Sequence, residues 1–281
     1  MAASQLTTLS RTQIASSLEA YPSAIAHKSS LTPSKPNTES LVALDEWYHS
    51  LPTLSGSKGE GRMRGKQDLI KLMQWKLARE KFRPTLLSLI SSNDASICSE
   101  VLQRAATHLS SHTPSFELDT EESLKSVEST MRILAELRGI GPATSSAIVA
   151  TWSPMGVFQS DELAQALLGD VKIEYTWTFY RKFYRAAIET MKKWQGEREG
   201  KVLERVAWSM AHTPTEVPSS VAGKEVKQKL DERGEMPASK HKDSQSNSSV
   251  KLEPKETRSK REVKDEASAG EGRVSKRLRS R

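Results

Sequence analysis

All 16 aromatic residues of this 281-residue chain lie before Thr213, which confines any packed core to the sequence ahead of that point. From Thr213 to Arg281 there are 17 Lys and Arg, 12 Asp and Glu, and no Phe, Trp or Tyr. Burial in such a stretch cannot offset the entropy of ordering, so residues 213–281 are expected to form a disordered, basic tail. The tail holds +5 of the formal net charge of +7, and the rest of the chain balances 25 basic against 23 acidic residues. A nucleic-acid surface on the folded part must therefore be local. No run of 18 apolar residues exists, so no membrane span is expected. Cys98 is the only cysteine, which excludes an internal disulfide, a thiolate zinc cage and a four-cysteine iron–sulfur cluster, and fits a reducing compartment. The Ser-rich N-terminus has no apolar stretch of the secretory type, leaving cytosol or nucleus.

Between these limits the apolar residues recur at helical spacing, and no alternating strand run stands out, so the expected class is all-α. Residues 1–37 read as a partly helical lead, Pro- and Ser-rich from Tyr21 to Asn37. Thr38 can cap a helix through Leu41, Leu44, Trp47 and Tyr48. After a Gly-rich basic loop, Ser55 to Gly65, helices are expected from Lys66 to Glu80, from Thr85 to Ser92 and from Ala95 to Leu109, the last capped by Asn93 or Asp94. Five more follow: Glu121 to Leu137, Ala143 to Trp152, Asp161 to Leu168, Glu174 to Trp194 and Lys201 to His212. Residues 38–212 thus form one helical domain of about ten helices.

The segment Leu137-Arg138-Gly139-Ile140-Gly141-Pro142-Ala143-Thr144 carries the most chemistry. Two glycines around one aliphatic residue permit a tight turn that an incoming backbone can approach, and the helix that follows begins with amides lacking internal partners. Such a turn is a ready phosphate site; it is equally an ordinary helix–helix corner, with Gly139 ending one helix and Gly141-Pro142 interrupting the next. The string from 137 to 149 resembles the hairpin of the helix-hairpin-helix DNA glycosylase superfamily. In that family an essential aspartate follows across a short Gly/Pro loop, and here Ser153-Pro154-Met155-Gly156 leads to Asp161, 22 residues after Gly139. A nuclear group of Amun-like proteins shares the layout.

The resemblance implies a glycosylase-like helical domain that binds double-stranded DNA, likewise a nuclear location and a monomer. It assigns the amides around Gly139, Ile140, Gly141, Ala143 and Thr144 to a phosphate grip. It assigns the carbonyls of Ala135, Leu137 and Ile140 to a structural monovalent cation, with no other cofactor. Asp161 would stabilise positive charge as an N-glycosidic bond breaks on an extruded base. The family's Schiff-base lysine is replaced by Ala143, which implies a monofunctional enzyme, and Glu162-Leu163-Ala164-Gln165 departs from the usual residues after the aspartate. Read without the family, Ser160-Asp161-Glu162 is also a normal helix start, and a DNA or chromatin binder without chemistry fits as well.

Lys76 and Glu80 fall inside the apolar arc of Leu69, Leu72, Met73 and Leu77, which suggests a pocket lining or a lysine paired at the helix end. Lys71, Lys76, Arg79, Lys81 and Arg83, with Trp75 and Phe82, are further candidates for meeting DNA phosphates, Lys76 and Arg79 foremost; a solvated basic face is the alternative for each. The aromatics from Tyr175 to Tyr184 read mainly as a core stripe through Trp177, Tyr180, Tyr184, Ile188 and Met191. His108 and His112 lack a third ligand, so a metal there is not expected. In the tail, Arg258, Lys260 and Arg261 precede Lys276-Arg277-Leu278-Arg279, resembling a two-part signal for an import receptor. Lys251 and Lys264 sit in aliphatic-Lys-x-Glu strings that resemble acceptors for the SUMO machinery.

Overall fold

The structure is a computed structural model and describes residues 5–31, 38–54, 62–80, 83–194 and 198–213. The import clusters, Lys251 and Lys264 lie outside the described residues, as does most of the Gly-rich loop. Among the described residues there is no strand: a 3-10 turn, Gln5–Thr8, precedes α1 (Arg11–Leu31), α2 (Leu41–Ser50), α3 (Lys66–Arg79), α4 (Pro84–Ser91) and α5 (Ala95–Ser111). Then come α6 (Thr120–Leu134), α7 (Pro142–Trp152), α8 (Asp161–Leu168), α9 (Trp177–Lys193) and α10 (Gly200–His212).

Most boundaries follow local chemistry. Ser40, two residues past the Thr38 expected from sequence, caps α2 by accepting from the Ala43 amide at 3.2 Å. Asp94 caps α5, Asp119 caps α6, Ser160 caps α8 and Thr176 caps α9, each through its side-chain oxygen. Pro84 opens α4, where its missing N–H costs nothing.

The lead is the main departure. Residues 11–31 form one 21-residue helix with Pro22 inside it, and Tyr21, Ala24 and Ile25 are buried as part of the common core. A proline within a helix removes one backbone bond and normally ends the element. Here packing against α10 holds the helix regardless.

At the centre lies α7, every residue of which is buried. Its polar residues need no distant partners: Ser145 donates to the Gly141 and Pro142 carbonyls, Ser146 to that of Ala143 and Thr151 to that of Ile148. Tyr48 of α2 reaches in to donate to the Ala147 carbonyl at 2.9 Å and stacks on Trp75 of α3, ring centroids 3.7 Å apart. On the other side α9 buries Phe179, Tyr180, Phe183, Tyr184, Ile188 and Met191, the expected stripe except that Trp177 stays half-exposed.

Two glycines fix the chain leaving α7. A Cβ at Gly200 would lie 1.9 Å from the Gly156 carbonyl oxygen, and one at Gly156 would lie 2.3 Å from that of Val149. The Gly200 amide donates to the Pro154 carbonyl at 2.8 Å. The start of α10 is thereby locked onto the loop that delivers Asp161.

Candidate functional site

The hairpin turns at Gly139, whose φ of +82° is a left-handed value suited to glycine. The side on which a Cβ would project is packed against α4: a Cβ there would sit 3.1 Å from both the Leu89 Cβ and the Ile90 side chain. Asn93, at the corner between α4 and α5, clasps the turn from both sides. Its Oδ1 accepts from the Arg138 amide at 2.9 Å while its Nδ2 donates to the Arg138 carbonyl at 3.0 Å. The sequence assigned Asn93 only to capping, because a contact 45 residues away leaves no local signal.

Gly141 differs. It is exposed, a Cβ there would meet nothing within 4 Å, and it caps α7 without any side-chain hydrogen bond. Pro142 has no N–H, so the amides of Ala143 and Thr144 are the first that α7 presents without an intrahelical acceptor. Their side chains are buried, so only backbone is offered. The Ile140 amide does not join them: it donates to the Leu137 carbonyl at 3.2 Å, and its side chain is in the core. The carbonyls of Ala135, Leu137 and Ile140 bracket this turn. Neutral carbonyl oxygens suit a monovalent cation, and the Leu137 carbonyl keeps one lone pair after accepting from Ile140. No group of three His, Cys, Asp or Glu side chains suited to a metal occurs among the described residues.

Asp161 begins α8, and the path to it folds back along α7. The Gln159 amide donates to Ser146 Oγ at 3.0 Å, and Ser146 is in the second turn of α7. The loop that leads to Asp161 thus runs back along α7, from Gly156 beside Val149 to Gln159 beside Ser146. Half-buried, Asp161 accepts from the Tyr175 phenol at 2.8 Å. Burial and this bond push the Tyr175 hydroxyl up to about 12, so it stays protonated and donating. The Arg83 guanidinium covers the Tyr175 ring at 4.4 Å.

Lys76 and Glu80 complete the surroundings. They form a buried ion pair one helical turn apart, with the Lys76 ammonium 5.7 Å from the Phe158 ring centroid and 6.0 Å from that of Tyr175. The other Glu80 oxygen, Oε1, is buried without a hydrogen-bond partner, and burial raises the carboxyl's pKa while Lys76 opposes the rise. Of the two sequence alternatives, the lysine paired at the helix end is the one seen: Glu80 is the C-cap of α3.

The expectation that Lys76 and Arg79 meet DNA phosphates is corrected. Lys76 is 3% exposed and tied to Glu80. Arg79 is 1% exposed, pairs with Glu204 at 2.6 Å and lies between the Trp75 and Trp208 rings, 4.8 and 4.1 Å away. Neither reaches the surface. A groove of about 980 Å³ does open among the 3-10 turn, α8, α9 and α10; Glu162, Leu167, Ala186 and Met210 are on its wall, and Asp161 is not.

No protein-family model matches the chain, no curated protein matches it in sequence, and no solved structure matches its fold. The functional reading therefore rests on the residues and their geometry.

Proposed function

We propose that this chain is a nuclear, monomeric DNA-binding protein with a helix-hairpin-helix glycosylase-like domain, and that it acts as a monofunctional DNA N-glycosylase through Asp161. The observation that supports the reading is the Gln159–Ser146 bond, which returns the chain along α7 to within two residues of Asp161. A strand phosphate approaching exposed Gly141 meets the amides of Ala143 and Thr144 at the positive end of α7. A base extruded from that duplex is presented towards Asp161.

The chemistry is a hydrolysis. The N-glycosidic bond breaks with its electron pair leaving on the base, which takes up a proton from solvent; the Asp161 carboxylate stabilises the oxocarbenium ion, and water adds at the anomeric carbon and returns a proton to solvent. The products are free base and an abasic site. Tyr175 positions the carboxylate by donating to Oδ1 and leaves Oδ2 for the reacting sugar. Ala143 offers no amine for a covalent intermediate. A monovalent cation on the carbonyls of Ala135, Leu137 and Ile140 would stiffen the turn.

Base release from duplexes carrying uracil, alkylated bases or oxidised bases tests the proposal. Release should be lost in Asp161→Asn with duplex affinity kept within about threefold. A borohydride-trapped covalent complex would overturn the monofunctional assignment. A non-catalytic DNA or chromatin binder is the second reading, favoured by the absence of Asp161 from the wall of the 980 Å³ groove. Duplex binding without release of any base would decide for it. The tail clusters support recognition by an import receptor, and Lys251 and Lys264 support SUMO attachment; deletion of residues 258–281 and a Lys251→Arg/Lys264→Arg variant test the two.

A further inference from the structure

Between α6 and α9 lies a groove of about 270 Å³ whose rim is largely ionic. Glu121, Lys125, Glu128 and Arg132 stand three or four residues apart along α6, with Arg181 and Arg185 of α9 opposite. Glu128 accepts from two arginines, Arg132 Nη2 at 2.7 Å and Arg181 Nε at 2.7 Å. Glu121 accepts from Arg185 Nε at 2.5 Å and Nη2 at 2.7 Å. The Lys125 ammonium makes no hydrogen bond or ion pair among the described residues. Four cations thus face two carboxylates, and the concavity carries two positive charges in excess.

Two Glu–Arg pairs suffice to clamp a pair of helices, so the second arginine on Glu128 and the unpaired Lys125 exceed that need. All three guanidinium groups spend only Nε and Nη2 on carboxylates and leave Nη1 unengaged among the described residues. They remain 41–49% exposed. A fork held on one edge and open on the other is oriented for an incoming anion before that anion arrives.

The groove also points back to the hairpin. Arg132 lies in the last turn of α6, which runs directly into the turn at Gly139, and its guanidinium covers the Trp177 ring at 4.4 Å. Trp177 follows two residues after Tyr175, the partner of Asp161. From Arg132 to Lys125 the helix spans about 10 Å, roughly three nucleotides measured along a duplex axis.

We infer that the α6–α9 groove is a second phosphate-binding track, in which Lys125, Arg132, Arg181 and Arg185 hold the DNA backbone beyond the hairpin. The inference rests on the DNA-binding reading above. Duplex affinity of the full chain, measured between 50 and 200 mM salt, tests it through the slope of log affinity against log salt. Lys125→Gln should lower that slope by about 0.9, and Lys125→Gln/Arg185→Gln by about 1.8. At about 100 mM salt the double variant should bind roughly sixtyfold more weakly, with the two affinities converging near 1 M. Lys125 has no partner to lose, and Glu121, left by Arg185→Gln, is solvent-accessible, so thermal melting should barely move. Lys193→Gln, an exposed charge at the far end of α9, should leave the slope unchanged. Slopes unchanged in the groove variants while Gly141→Val weakens binding would overturn the track alone, as would an equal effect of Lys193→Gln. Failure of the unaltered chain to bind duplex would overturn the track and the hairpin reading together.

Discussion

Gly139 holds φ at +82°, and a side chain there would press on Leu89 and Ile90 from 3.1 Å. Left-handed backbone costs an L-residue about 1–2 kcal/mol, and the crowding adds to it. Gly139→Ala should therefore lower stability by about 2–3 kcal/mol in urea unfolding. Gly141 has φ of −108° and open space where a Cβ would be, so Gly141→Val should stay within about 1 kcal/mol of the unaltered chain. Its expected effect is on DNA, a loss of roughly tenfold in duplex affinity by anisotropy, because the branched side chain fills the space a phosphate would take. The sequence offers the two glycines alike to an incoming phosphate. Only the geometry separates the one that builds the turn from the one that faces outward. Affinity unchanged in a folded Gly141→Val protein would remove the hairpin from the interface.

The element that decides where Asp161 stands is α7, together with the loop that returns along it. Ser146→Ala removes the acceptor of the buried Gln159 amide, so it should cost about 1–3 kcal/mol of stability. If Asp161 acts as proposed, base release should fall by more than duplex affinity does, since the hairpin itself is untouched; equal losses would show that the loop does not position the carboxylate. At this scale much was legible beforehand. Asp161–Leu168 and the starts of α3 and α5 follow from glycine, acidic and serine residues that act within a few positions of themselves. What escaped was long-range. Helix α1 is maintained by packing that a local reading of Pro22 cannot anticipate, and Tyr175 meets Asp161 across 14 residues. Arg79 looks like part of a basic helix face until Glu204, 125 residues on, accounts for its burial.

That arginine holds together elements from both ends of the described chain. Arg79 of α3 reaches Glu204 of α10, Asp45 of α2 at 3.5 Å and the Tyr21 hydroxyl of α1 at 3.3 Å. Trp75 and Tyr21 also donate to Asp45 Oδ1, each at 2.9 Å. Four helices thus converge on one desolvated cluster. Replacing Arg79 with Met leaves two buried carboxylates without their cation and should cost about 3–5 kcal/mol. The same cluster sets a pH dependence. Burial pushes the Glu204 carboxyl up to about 7, against the pull of Arg79, so the folded chain holds this proton more tightly than the unfolded chain, where a glutamate titrates near 4.5. The stability it contributes is complete below about pH 4.5 and is lost as pH rises through about 7. Glu162 and His49 act in the opposite sense, since the fold lowers the pKa of both, so the melting curve of the unaltered chain mixes the contributions. Glu204→Gln isolates one of them. Gln cannot ionise, so the melting temperature of the variant relative to the unaltered chain should climb steadily from pH 4.5 to pH 8, whatever constant offset the weaker bond to Arg79 introduces. Parallel melting profiles across that range would mean that Glu204 is ionised throughout it, with the attraction of Arg79 outweighing the cost of burial.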